Sequence, residues 1–111
     1  MAGPQYLIER RHVRYLIDSR AKLINGQGVV VARTIDISEG GMAILSPTEL
    51  GEDGHFSVEF VFPSIPESFR AQLSLRNRSG FRYGFQFKEL DEKNLAMLRK
   101  YLRRSGYVAA K

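Results

Sequence analysis

The stretch "TIDISEGGMAIL", residues 34–45, joins two apolar runs through a short segment of Asp, Ser, Glu and glycine. Asp and Ser side chains hydrogen-bond the backbone of a turn, and glycine adopts positive φ without steric cost. The pattern therefore predicts two strands that meet at a tight turn. Short strings of this kind also occur in many turns that bind nothing, so the rest of the chain has to show whether this one belongs to a ligand site.

Alternating apolar residues continue on both sides of this turn. Six runs are predicted to be strands, namely 13–24, 29–37, 41–46, 55–62, 68–77 and 81–87. The period of two is imperfect in the first run and clear in the last three. The segment "NGQG", residues 25–28, is a hairpin signal between the first two runs. Six short runs separated by turn signals predict a mainly β fold, namely a six-stranded antiparallel barrel or a tightly curled sandwich.

The last apolar run contains several aromatic residues and one glycine. Its period-two pattern places the rings of Phe81, Tyr83, Phe85 and Phe87 on the core face. Gly84, within the same run, predicts a bend or a close approach of another backbone. We therefore expect these aromatic rings to fill the interior of the barrel rather than to stack on a ligand.

The C-terminal segment has the periodicity of a helix. Asp91 is a suitable N-cap residue. Apolar residues recur on one helical face, and these are Leu95, Leu98, Tyr101 and Leu102. We expect a helix over about 91–105 that covers one end of the barrel, with basic residues in its last turns that match the negative end of the helix dipole.

The composition is typical of a single soluble domain. The chain has 111 residues, of which 43% are hydrophobic and 26% charged. It has no cysteine, which excludes disulfides and thiolate metal sites, and its two histidines, His12 and His55, are too few for a histidine-rich metal cluster. No apolar run approaches the roughly 20 residues that cross a bilayer, and the N-terminal residues lack the pattern of a secretory signal. We expect a cytoplasmic protein without membrane insertion.

Nothing in the sequence indicates catalysis. There are no paired carboxylates placed for acid–base chemistry, no nucleophile beside a base, no metal-ligand spacing and no Walker-type phosphate loop. The sequence therefore predicts a protein that is not an enzyme and carries no cofactor.

The formal net charge of +5 is distributed unevenly along the chain. Acidic residues are frequent from Thr34 to Phe69, where there is no Lys or Arg, whereas the segment from Arg70 to Lys88 contains basic residues and no acidic ones. Further basic clusters lie near both termini. Such segregation favours an anionic partner that meets one part of the surface, although solvated faces that only confer solubility give the same pattern.

A cluster of arginines precedes the first apolar run, in "ERRHVRYLI", residues 9–17. The planar guanidinium groups of Arg10, Arg11 and Arg14 can pair with phosphate or with the edge of guanine, and can stack on a base. The carboxylate of Asp36 can accept the guanine N1 and N2 hydrogens, and the hydroxyl of Ser38 can bond base or phosphate. Together these residues form the inventory of a site for a guanine nucleotide.

Two motifs in this chain match a known family. "RRHVR" fits RxxxR through Arg10 and Arg14, and "DISEGG" fits DxSxxG through Asp36, Ser38 and Gly41. In the order and separation of these motifs, the strand runs and the C-terminal helix, the chain resembles the PilZ domain family. The resemblance implies a six-stranded PilZ-type β-barrel over 13–111 and a receptor for cyclic di-GMP, the bacterial second messenger.

The resemblance also implies roles for single residues. Arg10 and Arg14 would clamp the phosphates and stack on or bond the guanines, Asp36 and Ser38 would bond a guanine edge, and Gly41 would let a strand begin close to the ligand. Residues 1–12 would form a flexible arm that the ligand orders, so that a new surface meets a downstream effector protein.

One position departs from what such a ligand favours. Glu9, immediately before the arginine motif, places a carboxylate beside a dianion and leaves open whether one ligand or an intercalated pair binds, while Arg11 supplies compensating charge. Glu39, in the turn, is expected to be solvated or to pair with an arginine of the arm. Two alternatives to the receptor remain: an adaptor of the PilZ type that binds no nucleotide, and a small barrel that binds single-stranded nucleic acid, although no specific nucleic acid is expected.

Overall fold

The computed structural model describes residues 13–26, 28–51 and 55–104. These residues form seven strands and one helix. The strands are β1 (Tyr15–Leu16), β2 (Arg20–Asn25), β3 (Gly28–Ile37), β4 (Gly41–Leu45), β5 (His55–Val61), β6 (Ser68–Ser79) and β7 (Arg82–Glu89), and the helix is α1 (Glu92–Arg104). No helix in these ranges is long and apolar enough to cross a membrane.

Six of the strands close into a barrel. The strand order is β1-β3-β2-β5-β6-β7-β4, and β4 pairs in turn with β3, so that the ring from β3 through β2, β5, β6, β7 and β4 has no end. All pairings are antiparallel. Strand β3 makes closure possible because it is long enough to pair with β2 through its first half and with β4 through its second half. The predicted six-stranded antiparallel barrel is confirmed.

The first predicted strand, 13–24, is in fact two strands. Both β1 and β2 pair with the same edge of β3, and Ile17–Ser19 between them leave the regular ladder. The buried hydroxyl of Thr34 fills the gap, because Thr34 Oγ1 accepts the Ser19 N–H at 2.8 Å and donates to the Ile17 carbonyl at 3.0 Å. Periodicity within one strand could not reveal a break that depends on a side chain of its neighbour.

The barrel interior is filled largely by aromatic rings. The ring of Phe62 packs against those of Phe60 and Phe69 with centroids 5.0 and 5.1 Å apart, and it stacks on Tyr101 of α1 at 4.5 Å. These contacts join the helix to the barrel through one continuous cluster.

The aromatic pattern of the last strand is only partly as predicted. Tyr83 and Phe85 are buried, and Phe87 is partly buried against the core. Phe81, however, is 51% exposed, because it lies in the turn between β6 and β7, where Gly80 has a φ of 62°. The prediction that Phe81 belongs to the core is wrong.

Helix α1 begins where its sequence predicts. Asp91 caps it, because Asp91 Oδ1 accepts the backbone N–H of Asn94 at 2.8 Å. The buried face consists of Met97, Leu98, Tyr101 and Leu102, and Leu95 is only partly buried. The predicted helix is therefore confirmed up to Arg104, and residue 105 lies outside the described residues.

The cap also sets the ionisation of Asp91. Hydrogen bonds from the backbone and the side chain of Asn94 lower the pKa of Asp91 below its ordinary value of 3.8. Because the charged form is favoured in the folded state, it contributes stability above the unfolded pKa and stops contributing as the pH falls through the folded one.

We expect Asp91→Ala to lower the thermal midpoint at neutral pH, since the first turn of α1 loses its cap. Asp91→Asn is the matched control, because asparagine keeps an acceptor at the cap but cannot ionise. The difference in thermal midpoint between wild type and Asp91→Asn should shrink as the pH is lowered from 7 to below the Asp91 pKa. Circular dichroism measures the midpoint at each pH. A difference that stays constant with pH would contradict the assigned linkage.

Candidate functional site

The Asp36 carboxylate lies on the outer face of the barrel because β3 contains a β-bulge. The register between β3 and β4 shifts between Thr34, which is opposite Ile44, and Asp36, which is opposite Ala43. In a regular strand, residues two apart share a face, so Asp36 would point into the core beside Thr34. The extra residue, Ile35, turns Asp36 to the other face.

A row of residues crosses the outer face on either side of Asp36. Asp36 is paired with Leu16 on β1 and with Ala43 on β4, Ala43 is opposite Gly84 on β7, and Gly84 is opposite Asn77 on β6. The two residues that follow Asp36 in this row have minimal side chains. They form the floor of the strip between the carboxylate and Asn77, and the Asn77 side chain lies against Gly84.

Two arginines cover the Asp36 carboxylate, whose side chain is only 5% exposed. Arg14 Nε lies 3.6 Å from Asp36 Oδ1, and Arg82 Nη2 lies 3.5 Å from Asp36 Oδ2. The arginine side chains remain 36% and 49% exposed. A buried carboxylate without such partners would be costly, so the arginines stabilise its charge while they stay in contact with solvent.

Arg82 also belongs to the site, although no motif in the sequence contains it. Arg82 is opposite Leu45 on β4 and belongs to the outer face, as its alternation with the buried Tyr83 indicates. The period-two pattern of β7 places it outside the barrel, but only the register of β3, β4 and β7 brings it to Asp36.

The turn after Asp36 is held by its own hydrogen bonds. The Ser38 N–H donates to the Gly41 carbonyl at 2.8 Å, and the Gly40 N–H donates to Ser38 Oγ at 3.1 Å. The Gly40 carbonyl accepts the N–H of Phe87 at 2.9 Å, which fixes the turn to β7. Ser38 therefore shapes the turn that follows the carboxylate, as the local sequence predicts.

Gly41 has a structural role in closing the barrel. A Cβ built on Gly41 would lie 2.0 Å from the Phe85 carbonyl oxygen and 3.0 Å from Gln86 Cα. The glycine therefore permits the close pairing of β4 and β7. Gly84 is also crowded, since a Cβ there would lie 2.5 Å from Asn77 Oδ1, so the close neighbour is a side chain rather than a backbone.

The structure thus brings Arg14 and Asp36 together and places Ser38 and Gly41 in the adjoining turn. Arg10 and Arg11 lie outside the described residues, as does the proposed arm 1–12. Glu39 pairs with Arg99 of α1, with Nη2 and Oε1 3.4 Å apart, rather than being simply solvated. Both side chains are about half exposed, and a pair of this kind contributes little to stability.

Other polar clusters lie apart from this site. Arg78 donates to Glu49 Oε2 at 2.6 Å and lies over the Tyr83 ring. A cleft of about 600 Å³ lies near the N-terminus of α1, between Glu59, Gln72 and Asn94, and it includes none of the motif residues. Among the residues that the structure describes, no cluster of His, Asp and Glu could hold a metal ion.

Comparison with protein-family models matches residues 8–104 to the PilZ domain. Among solved structures, YcgR from Escherichia coli in complex with c-di-GMP has a TM-score of 0.71 at 22% identity, covering 85% of this chain and 44% of that chain. MotI/DgrA, the Bacillus subtilis inhibitor of motility, has a TM-score of 0.68 at 14% identity, covering 86% and 50%. The chain therefore spans about half the length of these two proteins or less.

The PilZ domain of E. coli YcgR with c-di-GMP, taken alone, has a TM-score of 0.61 at 24% identity and is covered over 86% of its length. At these identities the structures establish a shared fold. No curated protein matches the chain in a sequence search.

We expect Gly41→Ala to lower the free energy of unfolding by about 1–3 kcal/mol, because the new methyl group meets a backbone carbonyl that cannot move without opening the β4–β7 pairing. Gly26→Ala is the matched control, since nothing lies within 4 Å of a Cβ at that position. Urea unfolding measures both variants. Equal stability of Gly41→Ala and wild type would contradict the assigned role of this glycine.

Proposed function

This chain belongs to the PilZ domain family, and from that premise we propose that it is a receptor for cyclic di-GMP. We assign the ligand to the outer face of β3, β4 and β7, with Asp36 and Ser38 on a guanine edge and Arg10 and Arg14 on phosphates and bases. The observation that carries the proposal is the buried carboxylate of Asp36, which a β-bulge turns outward and which pairs with two arginines that remain partly exposed.

The carboxylate suits a guanine because its two oxygens can accept the N1 and N2 hydrogens together. In the structure both oxygens face guanidinium groups at 3.5–3.6 Å. Charge-assisted N–H···O bonds are shorter, about 2.7–2.9 Å, so these contacts are loose. A guanine edge could replace them with two shorter bonds, and the arginines would then be available for phosphate oxygens.

The surface beside Asp36 supports the same assignment. Ala43 and Gly84, which follow it in the cross-strand row, carry too little side chain to obstruct a planar base. Ala43 is only 1% exposed in the structure, so neighbouring side chains cover this floor. Binding would therefore begin with the displacement of half-exposed side chains rather than with an opening of the barrel.

The signal would be transmitted by the N-terminal arm. Arg14 lies immediately before β1 and contacts Asp36. Arg10 precedes it by four residues, so a ligand on Asp36 would also come within reach of Arg10. Ordering of residues 1–12 over the ligand would create a surface for an effector protein. Solved YcgR structures that contain c-di-GMP on the same fold support the ligand class. The receptor would act in the cytoplasm and would not be an enzyme.

Isothermal titration with cyclic di-GMP tests the proposal. We expect saturable binding by wild type and a loss of about tenfold or more in Arg14→Ala, which removes a partner of the phosphates and bases, and in Asp36→Asn. Asparagine keeps one acceptor oxygen but turns an amide donor toward the second guanine hydrogen. Arg70→Ala is the control, since Arg70 is an exposed arginine paired with Glu59 at 3.0 Å, away from the site.

Titration with cyclic di-AMP tests the specificity of the site for guanine. Adenine lacks the N1 and N2 hydrogens of guanine, so wild type should prefer cyclic di-GMP and Asp36→Asn should lose most of that preference. The titration also measures whether one ligand or a pair binds beside Glu9. Absence of heat with folded protein at high ligand concentration would overturn the receptor proposal and favour an adaptor of the PilZ type.

A further inference from the structure

A second row on the outer face runs beside the Asp36 row. Arg20 on β2 is opposite Arg33 on β3, Arg33 is opposite Leu45 on β4, and Leu45 is opposite Arg82 on β7. All four side chains are exposed, with 53% of the Arg33 side chain, 49% of the Arg82 side chain and 48% of Leu45 accessible. We call this row the arginine stripe. With neighbouring strands about 4.8 Å apart, it spans roughly 14 Å.

The stripe is not explained by the stability of the sheet. Like charges directly opposite each other on neighbouring strands, as in Arg20 and Arg33, are destabilising. Among the described residues, the carboxylates paired with the stripe are Asp18, at 2.5 Å from Arg33, and Asp36, at 3.5 Å from Arg82. Asp18 is 80% exposed, so its attraction is strongly screened. The stripe therefore keeps a positive charge that an external anion would stabilise.

We propose that the arginine stripe is the docking surface for an acidic, extended segment of an effector protein. Arginine pairs bidentately with carboxylates, and arginine is enriched at the centres of protein interfaces. At about 3.3 Å per residue, an extended peptide of four or five residues covers the length of the stripe. Leu45, between Arg33 and Arg82, provides an apolar contact for one uncharged side chain of that segment.

The charges around the stripe favour a peptide over a nucleic acid. Asp18 lies beside Arg33 with 80% of its side chain exposed, and its carboxylate would repel a continuous run of phosphates. A peptide with acidic residues at intervals can place its carboxylates on the arginines and an uncharged residue beside Asp18. The exposed Leu45 is also better matched by an apolar side chain than by a sugar–phosphate backbone.

Arg82 connects the stripe to the ligand site. Its guanidinium belongs to the stripe and also contacts Asp36. A ligand that donates hydrogen bonds to Asp36 would release Arg82 and raise the positive charge available to the partner. This link rests on the proposed receptor function, whereas the docking surface itself does not.

Fluorescence anisotropy with a labelled peptide of about five residues, which has acidic residues at intervals and a central leucine, tests the docking surface. We expect the peptide affinity to fall about five- to tenfold in Arg20→Ala and in Arg33→Ala, because each substitution removes one guanidinium that pairs with a carboxylate of the peptide. Arg70→Ala is the matched control, because Arg70, like Arg33, is an exposed arginine in an ion pair with one carboxylate. A peptide with serine in place of leucine should bind wild type less tightly than the leucine peptide does. The two peptides should bind Leu45→Ser with equal affinity.

The same titrations in the presence of cyclic di-GMP test whether the ligand site and the arginine stripe are coupled. Cyclic di-GMP should tighten peptide binding to wild type and have no such effect on Arg82→Ala. Equal peptide affinity in wild type, Arg20→Ala and Arg33→Ala would overturn the docking surface, and tighter binding of a labelled single-stranded oligonucleotide of similar length would replace it with a nucleic-acid surface. These variants are also titrated with cyclic di-GMP, so that a failure of the receptor proposal is distinguished from a failure of the stripe.

Discussion

The β-bulge at Ile35 determines what the outer surface of this barrel can do. Thr34 points inward and completes the ladder where β1 and β2 separate, whereas Asp36, two residues later, points outward. Without the extra residue, the carboxylate would point into the hydrophobic core on the same side as Thr34. The bulge therefore satisfies two requirements of one strand at once: a polar contact inside the barrel and an anionic group outside it.

The Asp36 carboxylate in turn holds an electrostatic balance that is easily changed. Each of its oxygens faces one guanidinium, at a distance longer than that of a strong charge-assisted bond. Such contacts are sufficient to stabilise a charge that is shielded from water, yet they lose little when a better donor replaces them. The two arginines come from opposite ends of the sequence, Arg14 from the segment before β1 and Arg82 from β7. Any group that binds the carboxylate therefore changes the surroundings of two distant parts of the chain.

Local sequence was sufficient to predict most of the fold. The six runs, the "NGQG" hairpin, the cap at Asp91 and the apolar face of α1 follow from side-chain periodicity and turn chemistry, which act within a few residues. The break after β1, the partnership of Arg82 with Asp36 and the crowding at Gly41 could not be predicted, because each depends on register between strands that are far apart in sequence. Phe81 fits the period of its run, but the hairpin turn includes Phe81 and β7 begins only at the next residue.

The barrel can also be divided into two three-stranded meanders, one made of β2, β3 and β4 and the other of β5, β6 and β7. Within each meander neighbouring strands are consecutive in the chain, and only the β2–β5 and β4–β7 seams join the two halves. Pairings between consecutive strands close short loops and form quickly, whereas the seams wait for distant segments to meet. Asp36 belongs to the first meander and Arg82 to the second, so the two side chains meet only after β4 has paired with β7. A ligand bound at Asp36 would therefore lie across the β4–β7 junction that completes the barrel.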